Sequence, residues 1–288
     1  MNSPRVGLLG ATSLVGHCLI PLLVDRDIRV VAFSRQSVAP AIAGVTWRSL
    51  SNTCSENKDQ LDLWLCVAPI WVLPEYFPLF EASGARRVVA LSSTSRFTKD
   101  DSTDPDEQAT ALRLAHAESL LQKWAQSRGV EWIILRPTLI YGTGRDKNIA
   151  EIGRFIRRFH FFPLFGKAEG LRQPIHAQDV AAACIGAIQL PAAANHAYNI
   201  SGGETLTYRE MIARVFAALG RRPRLLTVPL WAFRLTVAVL RRVPRYRHWS
   251  AAMAERMNRD LVFDHTDAVR DLGFAPREFS LTARDVRP

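Results

Sequence analysis

A glycine-containing segment near the start of the chain has the residue types and spacing of a phosphate-binding turn. The segment Gly10-Ala-Thr-Ser-Leu-Val-Gly16 follows a short apolar run and precedes a stretch of helical character. Glycine at position 10 permits a tight turn, and glycine at position 16 permits close packing of the helix on the strand. The free amides and the positive dipole end of such a helix bind a pyrophosphate. We therefore predict that this turn binds a dinucleotide through Gly10, Thr12, Ser13, Leu14, Val15 and Gly16.

The end of the next apolar run bears on which dinucleotide binds. An acidic residue about 20 positions after the turn holds the ribose 2′-hydroxyl in NAD-binding units. Here the run ends in Phe33-Ser34-Arg35 and offers no carboxylate. An arginine guanidinium instead pairs with a 2′-phosphate through two hydrogen bonds. Ser34 and Arg35 therefore favour NADP(H) over NAD(H), the alternative being that Arg35 is an ordinary solvated residue.

The elements that must position this turn alternate between strands and helices. Apolar segments predict strands at 5–9, 29–33, 45–50, 61–67, 87–91 and 130–135, with helices at 14–24, 73–82 and 106–127. Such alternation predicts an α/β protein with a Rossmann-type, doubly wound parallel sheet. After Pro137 the alternation loosens. We expect residues 1–140 to form the nucleotide-binding domain and residues 141–288 mainly a smaller C-terminal substrate lobe, with segments near 172–200 returning to the sheet.

The positive charge of the chain is concentrated in its second half. The formal net charge is +10, and residues 145–288 carry 23 basic and 13 acidic side chains, which accounts for the whole excess. An anionic small-molecule substrate is therefore expected, whereas nucleic acid ranks lowest because no motif for binding it accompanies the charge. Arginine and aromatic residues interleave between 209 and 259. Residues 221–249 thus suit peripheral contact with anionic lipid, or a lobe whose arginines meet substrate phosphates or solvent.

Cysteine usage and the apolar stretches bear on metal binding and location. The four cysteines (Cys18, Cys54, Cys66 and Cys184) lack metal-ligand spacing, so we predict no metal site and expect free thiols in a reducing cytoplasm. Polar residues interrupt the apolar stretches 6–24 and 225–240. We therefore expect a soluble, cytoplasmic protein, with peripheral membrane contact left open, and make no prediction of oligomeric state.

Several further motifs resemble those of the extended short-chain dehydrogenase/reductases, the group that contains the NAD(P)-dependent epimerases and dehydratases. The resemblance rests on the turn at 10–16, Ser34-Arg35, Val67-Ala68-Pro69, RVVALSSTS at 87–95, LRPTLIYG at 135–142, RQPIHAQDVA at 172–181 and NISGGETLTYREM at 199–211. These motifs cover most of the chain. The resemblance implies a nucleotide-linked sugar as the substrate, and the arginine- and aromatic-rich region at 209–259 suits a lipid-linked sugar as the alternative.

The resemblance also implies roles for particular residues. Thr94 matches the hydroxyl that hydrogen-bonds the reacting oxygen of the substrate. Arg172 matches a position that meets a substrate phosphate, with a structural ion pair to Asp179 as an equal alternative. The remaining positions are Val67, Ala68 and Pro69 at the adenine and ribose, Ser92 and Ser93 near the cofactor, Pro137 and Thr138 beside the nicotinamide, and Tyr141 on the substrate side.

The chain departs from this family at its general acid/base. The family uses a tyrosine and a lysine four residues later, because the ammonium group stabilises the phenolate. Counting back from Glu118 places Thr110 at the tyrosine position and Leu114 at the lysine position, and no tyrosine in the chain has a lysine four residues on. His116, with Arg113 nearby on the same predicted helix, is a weak substitute because it is equally an exposed helix residue.

Three functional interpretations follow from this departure. The first is an atypical oxidoreductase or epimerase-like enzyme with another proton donor. The second is a regulator or sensor that binds NADP(H) without turnover. The third is an assembly subunit apposed to a membrane, which keeps the cofactor for stability.

Overall fold

The centre of the protein is a sheet whose strands alternate with helices along the chain. The computed structural model describes residues 4–35, 41–50, 60–100, 102, 104–231 and 251–286. Its strands are β1 (Arg5–Leu9), β2 (Arg29–Ser34), β3 (Val45–Ser49), β4 (Leu63–Cys66), β5 (Arg87–Leu91), β6 (Glu131–Pro137), β7 (Ile140–Tyr141), β8 (Phe162–Phe165), β9 (Leu171–Arg172), β10 (Ile175–His176), β11 (His196–Ile200), β12 (Leu206–Thr207) and β13 (Leu225–Val228).

The helices connect these strands and carry the lobe. They are α1 (Leu14–Val24), α2 (Phe77–Ala82), α3 (Ser95–Thr98), α4 (Pro105–Arg128), α5 (Ile149–Phe159), α6 (Ala177–Gln189), α7 (Tyr208–Ala218), α8 (Ala251–Arg256), α9 (Thr266–Leu272) and α10 (Ala283–Val286). The helix predicted at 73–82 is instead a 3₁₀ segment, Ile70–Tyr76, followed by α2. Pro74 and Pro78 lack the amide that a continuous α-helix needs, which explains the division.

The central sheet confirms the predicted fold class. Within the described residues its strands run in the order β11-β6-β5-β4-β1-β2-β3, and every pairing is parallel. The strand order reverses between β1 and β4, so the loops after these two strands diverge and leave a crevice at their carboxyl ends. This crevice is where a Rossmann-type sheet binds its ligand.

Apolar side chains cover both faces of the sheet. On one face α1 and α6 pack on the strands, with Leu19, Leu23 and Val180 fully buried. On the other face α2 and α4 pack around Trp64 and Phe80, whose ring centroids lie 4.7 Å apart. Strands buried on both faces explain why the sequence showed continuous apolar runs rather than alternation.

A third apolar cluster lies in the C-terminal lobe, built from α5, α7 and β8 with the end of the chain. One part of the segment near 172–200 belongs to the central sheet and its helices, and the other part belongs to the C-terminal lobe. Its helix α6 packs on the sheet, and β11 pairs with β6 at the edge. By contrast β9 pairs with β12, and β10 pairs with β7, in separate two-stranded ladders.

Candidate functional site

The two glycines of the turn at 10–16 are held against backbone atoms. Gly10 has a φ of +84°, and a Cβ atom there would lie 2.4 Å from the amide nitrogen of Ala68. A Cβ atom on Gly16 would lie 2.5 Å from the carbonyl oxygen of Ala11. The turn therefore packs directly against the end of β4. The first turn of α1 packs just as closely against the backbone that follows β1.

Ser13 is the N-cap of α1. Its Oγ accepts the amide of Gly16 at 3.0 Å, so the side chain turns into the helix end and does not point outward. Thr12 is exposed beside it. Within the described part of the chain, no group accepts the amides of Leu14 and Val15. Two free amides at the start of an 11-residue helix are suitable donors to a phosphate.

A positive side chain from the lobe lies near this helix end. Burial lowers the pKa of His17, and the guanidinium of Arg145 lowers it further. The second effect requires Arg145 to be close to the first turn of α1. The dipole of α1 adds a positive potential for an anion at its N-terminus.

The residues predicted for the adenosine end line the crevice beside β2 and β4. Ser34 is buried and Arg35 is exposed directly after the last residue of β2. Val67 is buried and its amide donates to the carbonyl of Leu9 at 2.9 Å, which joins β4 to β1. Ala68 is half-buried and Pro69 is exposed. Arg35 is thus accessible to solvent at the carboxyl end of β2.

The hydroxyl-rich end of β5 is tied to the end of β6. Thr94 is 6% exposed, and both its amide and its Oγ1 donate to the carbonyl of Pro137, at 3.1 and 3.2 Å. Ser93 Oγ accepts the amide two residues on at 3.1 Å. Thr138 Oγ1 donates to the carbonyl of Gln173. These bonds fix the position of Thr94 where the sheet meets the lobe.

A buried carboxylate organises this edge of the sheet, and the sequence analysis did not predict it. Glu118 of α4 is fully buried and accepts from Arg136 Nη2 at 2.7 Å, from Arg96 and from Ser92 Oγ. The Arg136 guanidinium also lies 5.2 Å from the ring centroid of Phe97. Two arginines therefore share one desolvated carboxylate, which joins α3, α4, β5 and β6.

The positions that correspond to the missing dyad hold no proton donor of suitable type. Leu114 is 3% exposed and packs in the apolar core. Thr110 Oγ1 donates to the helix carbonyl four residues before it, at 2.8 Å. His116 is exposed, and Arg113 lies over the ring of Trp71 at 4.6 Å. As far as the described residues form the cavity beside Thr94, none of these four α4 residues lines it.

That cavity, of about 680 Å³, lies between Thr94 and the lobe. Its floor is the end of β5 with α3, and its walls come from α5, β8, α7 and α8. The polar and charged side chains along it are Ser93, Thr94, Ser95, Thr98, Lys99, Thr138, Lys147, Asn148, Glu151, Arg172, Gln173, Tyr208 and Arg256. This volume accommodates a small-molecule substrate.

Arg172 borders this cavity but is bound by the protein itself. It is 5% exposed, and burial lowers its pKa to about 10. Its guanidinium donates to the backbone carbonyls of Leu171, Arg256 and Arg259. The alternative of an ion pair with Asp179 is wrong, because Arg277 pairs with that carboxylate at 2.8 Å. Arg172 thus fastens β9 to the segment after α8.

Tyr141, which we expected on the substrate side, lies in the core of the lobe. It is completely buried, and its hydroxyl donates to the carbonyl of Ser280 at 3.3 Å. Its ring packs edge-on against His176 and Phe279. Burial raises its pKa to about 12. A side chain without solvent contact cannot meet a ligand in the cavity.

Asp285 makes the end of the chain sensitive to acid. It accepts from the amide of Thr143 at 2.9 Å and from the amide and hydroxyl of Thr282 at 2.8 and 2.7 Å. Burial raises the pKa of Asp285, but hydrogen bonds from His176, Thr282 and Thr143 outweigh that effect and hold it well below its usual range. A depressed native pKa contributes stability above about pH 4 that is lost as the pH falls further.

We therefore expect Asp285→Asn to lower the free energy of unfolding at pH 7 by about 1–3 kcal/mol. The loss should shrink as the pH drops from about 4 toward 2, because in this range the unfolded wild-type chain takes up a proton on this carboxylate while the native state keeps it ionised. Urea unfolding at a series of pH values measures both effects. Asp25→Asn, at the exposed end of α1, is the control and should change neither. A deficit that stays constant across this range would contradict the assignment.

Most of the basic region predicted to contact lipid lies outside the described residues, which end at 231 and resume at 251. In the part described, Leu226 of β13 is 55% exposed and Trp231 is 72% exposed. Arg222 and Arg224 are exposed beside them. Among the helices described, none combines the length and the apolar character needed to cross a membrane.

The fold and the site together define a class of protein. A parallel sheet carries a glycine-containing turn at its switch point, and a threonine at the end of β5 faces a cavity beneath a C-terminal lobe. This is the organisation of a dinucleotide-binding protein of the short-chain dehydrogenase/reductase type.

Comparison with known proteins agrees with this class. The model of the NAD dependent epimerase/dehydratase family matches residues 77–201. UDP-glucose 4-epimerase of Vibrio cholerae is 26% identical over 163 residues, 53% of this chain and 49% of the relative. The uncharacterised protein y4nG of Sinorhizobium fredii is 27% identical over 207 residues, 68% of this chain and 50% of the relative. The chain thus spans about half the length of these relatives.

A solved structure, UDP-glucuronic acid 4-epimerase from Bacillus cereus in complex with NAD, superimposes with a TM-score of 0.71 at 14% identity, covering 98% of this chain and 95% of that chain. At this identity the match supports the fold alone. The family match, the two relatives and the shared fold support the resemblance to NAD-dependent epimerase/dehydratase-like extended short-chain dehydrogenase/reductases.

Proposed function

We propose that this protein binds NADP(H) and acts as an atypical oxidoreductase or epimerase-like enzyme on a nucleotide-linked or lipid-linked sugar. The observation that carries the proposal is the placement of Thr94. Its hydroxyl lies at the carboxyl edge of the sheet that also ends in the phosphate-binding turn, and it borders the 680 Å³ cavity. A nicotinamide dinucleotide bound at this edge supplies hydride transfer.

The residues of the chain would share the work as follows. The free amides of Leu14 and Val15, with Arg145 nearby, bind the pyrophosphate. Arg35 binds the 2′-phosphate at the other end of the cofactor. The Thr94 hydroxyl, which now donates to Pro137, can rotate to donate to a substrate oxygen in the cavity.

Binding and turnover test this proposal separately. Isothermal titration with NADP⁺, NADPH, NAD⁺ and NADH should give binding for at least the NADP pair. Incubation of NADP⁺ with a panel of sugar nucleotides and prenyl-phosphate sugars tests hydride transfer from a substrate, and incubation of tritium-labelled NADPH with the corresponding keto-sugars tests hydride transfer to one. Wild-type protein that binds none of the four dinucleotides would refute the proposal.

The preference for NADP(H) is tested at Arg35. We expect Arg35→Ala to weaken NADPH binding about 10- to 100-fold, because one charge-assisted pair is worth about 1.5–3 kcal/mol. NADH affinity should not fall, since NADH lacks the 2′-phosphate. Arg29→Ala is a matched control, because Arg29 is exposed at the opposite end of the same strand. Equal losses for both cofactors would contradict the role of Arg35.

A regulator that binds NADP(H) without turnover is the second candidate, and the burial of Leu114 favours it. With a leucine in the core at this position, α4 supplies no ammonium group to lower the pKa of a proton donor. Such a protein should bind NADPH and NADP⁺ with different affinities and show no hydride transfer to any substrate in the panel.

Peripheral membrane contact is the third candidate, and it rests on the exposed Leu226 and Trp231 beside Arg222 and Arg224. We expect the protein to sediment with phosphatidylglycerol vesicles and not with phosphatidylcholine vesicles, because both charge and apolar insertion are needed. Trp231→Ser should reduce sedimentation several-fold. Trp47→Ser serves as the control, since Trp47 belongs to the sheet. Equal binding to the two vesicle types would argue against this contact.

A further inference from the structure

Two cationic side chains are held side by side on one wall of the cavity. Lys99 follows α3, and Arg256 ends α8. Burial lowers the pKa of Lys99, and the neighbouring charge of Arg256 lowers it further. Arg256 pairs with Glu107, whereas no carboxylate among the described residues forms an ion pair with Lys99. Two half-buried cations at one site attract a bound anion, and the nearby charges of Asp104 and Glu107 offset only part of that attraction.

The other charged groups along the cavity leave this positive wall dominant. Arg172, which is buried, and Lys147, at an exposed position, add two further cations. Glu151 is the carboxylate among the described lining residues, and it lies 3.6 Å from Arg154 of the same helix. Its charge is thus partly offset from outside the cavity. The ligand is therefore expected to carry its negative charge toward Lys99 and Arg256.

A second part of the cavity wall is apolar and comes from several elements at once. Its side chains are Ile152, Phe155, Phe162, Met211, Met257 and Phe263. None of these offers a hydrogen bond to a hydroxyl or an amide. Burying sugar hydroxyls or a base edge against such a surface would leave polar groups unpaired, at a cost in affinity. An apolar group fits this wall without that cost.

We infer that the cavity binds an amphipathic anion, a phosphate or diphosphate ester of an apolar alcohol, with its phosphate at Lys99 and Arg256 and its chain along the α5–β8 wall. The inference rests on the proposed function, because it names the substrate class of the same cavity. It selects the lipid-linked alternative over the nucleotide-linked one. Thr94 then lies beside the head group rather than the chain.

Calorimetry with three probes tests the inference: inorganic phosphate, n-octyl phosphate below its micelle concentration, and UDP-glucose. Octyl phosphate should bind at least 100-fold more tightly than inorganic phosphate, since each buried methylene adds about 0.8 kcal/mol. It should also bind more tightly than UDP-glucose. Tighter binding of UDP-glucose, or no binding of octyl phosphate, would overturn the inference.

Variants test the contributions of the charged and the apolar parts of the cavity wall to binding separately. Lys99→Met should weaken both phosphate and octyl phosphate about 10-fold, whereas Ile152→Thr should weaken only octyl phosphate. Lys123→Met, at an exposed position of α4 away from the cavity, is the matched control for charge. Octyl phosphate binding that is the same in Lys99→Met and in wild type would also overturn the inference. NADPH binding, measured on each variant, confirms folding and reports separately on the proposed function.

Discussion

Replacing Glu118 by Ala should lower the free energy of unfolding by about 3–5 kcal/mol. The carboxylate is fully buried and holds two arginines, of which Arg136 is 14% exposed at its side chain. Without it, Arg136 keeps its charge in a desolvated site with no counter-ion among its present partners. Ser92 loses its acceptor at the same time. Urea unfolding, monitored by tryptophan fluorescence, gives the magnitude.

Two further variants make this result specific. Glu118→Gln keeps the shape and a hydrogen bond to Ser92 but removes the charge, so its loss should fall between those of wild type and Glu118→Ala. Glu81→Ala removes an exposed carboxylate that pairs with Arg128 at 2.9 Å, and it should change the unfolding midpoint little. If Glu81→Ala cost as much as Glu118→Ala, burial would not be the cause. Because the family resemblance places Ser92 near the cofactor and Ser92 loses its partner, NADPH binding should also weaken in Glu118→Ala.

The sheet and its first helix could be predicted because their signals are local. β1 and α1 were expected at 5–9 and 14–24, and the structure has the same bounds. A buried parallel strand is a run of apolar residues, and a helix after it has its own period. The boundary near 70–82 was less accurate, since two prolines change the helix type without changing its apolar character.

The Glu118 cluster shows what local patterns do not contain. Its partners lie 18, 22 and 26 residues away in the chain, on β6, on α3 and after β5. A glutamate on a helix is most often exposed, so nothing in its neighbours marked it as buried. Glu118 served only as the reference point that aligned the predicted helix with the tyrosine and lysine positions of the family. The signal that could have found it is the arginine within a buried strand, Arg136, which requires a counter-ion.

The surroundings of Arg172 and Tyr141 could not be predicted for a related reason. A family resemblance assigns a residue to a role, but the role also depends on which groups reach that residue first. Three backbone carbonyls surround the Arg172 guanidinium, and the Tyr141 ring lies under Phe279. The positions aligned with the family's tyrosine and lysine are a different case. Their residue types are given by the sequence itself, which has Leu114 at the position aligned with the lysine. The type of residue at a position is known from the sequence, whereas the groups that surround its side chain are known only from the fold.

Replacing Gly10 by Ala should be among the most damaging single changes to the cofactor site. The new Cβ would lie 2.4 Å from the amide nitrogen of Ala68, which is backbone and cannot rotate away. The left-handed φ of +84° adds strain for any residue with a Cβ. Overpacking of this kind costs about 1–3 kcal/mol and the strain about 1–2 kcal/mol. We expect a total loss of stability of about 2–5 kcal/mol.

Gly84→Ala is the matched control, because Gly84 has a similar φ of +72° and a Cβ atom there would meet nothing within 4 Å. Its loss should therefore be the strain alone, about 1–2 kcal/mol. The two variants should also differ in function. In Gly10→Ala the end of β4 must move away from the turn, which displaces Val67 and Ala68 from the crevice, so NADPH titration should show little or no binding even well below the unfolding transition. Gly84→Ala should bind as wild type does. Equal stability losses, or unchanged NADPH affinity in Gly10→Ala, would mean that the turn does not need to press against β4 to bind a dinucleotide.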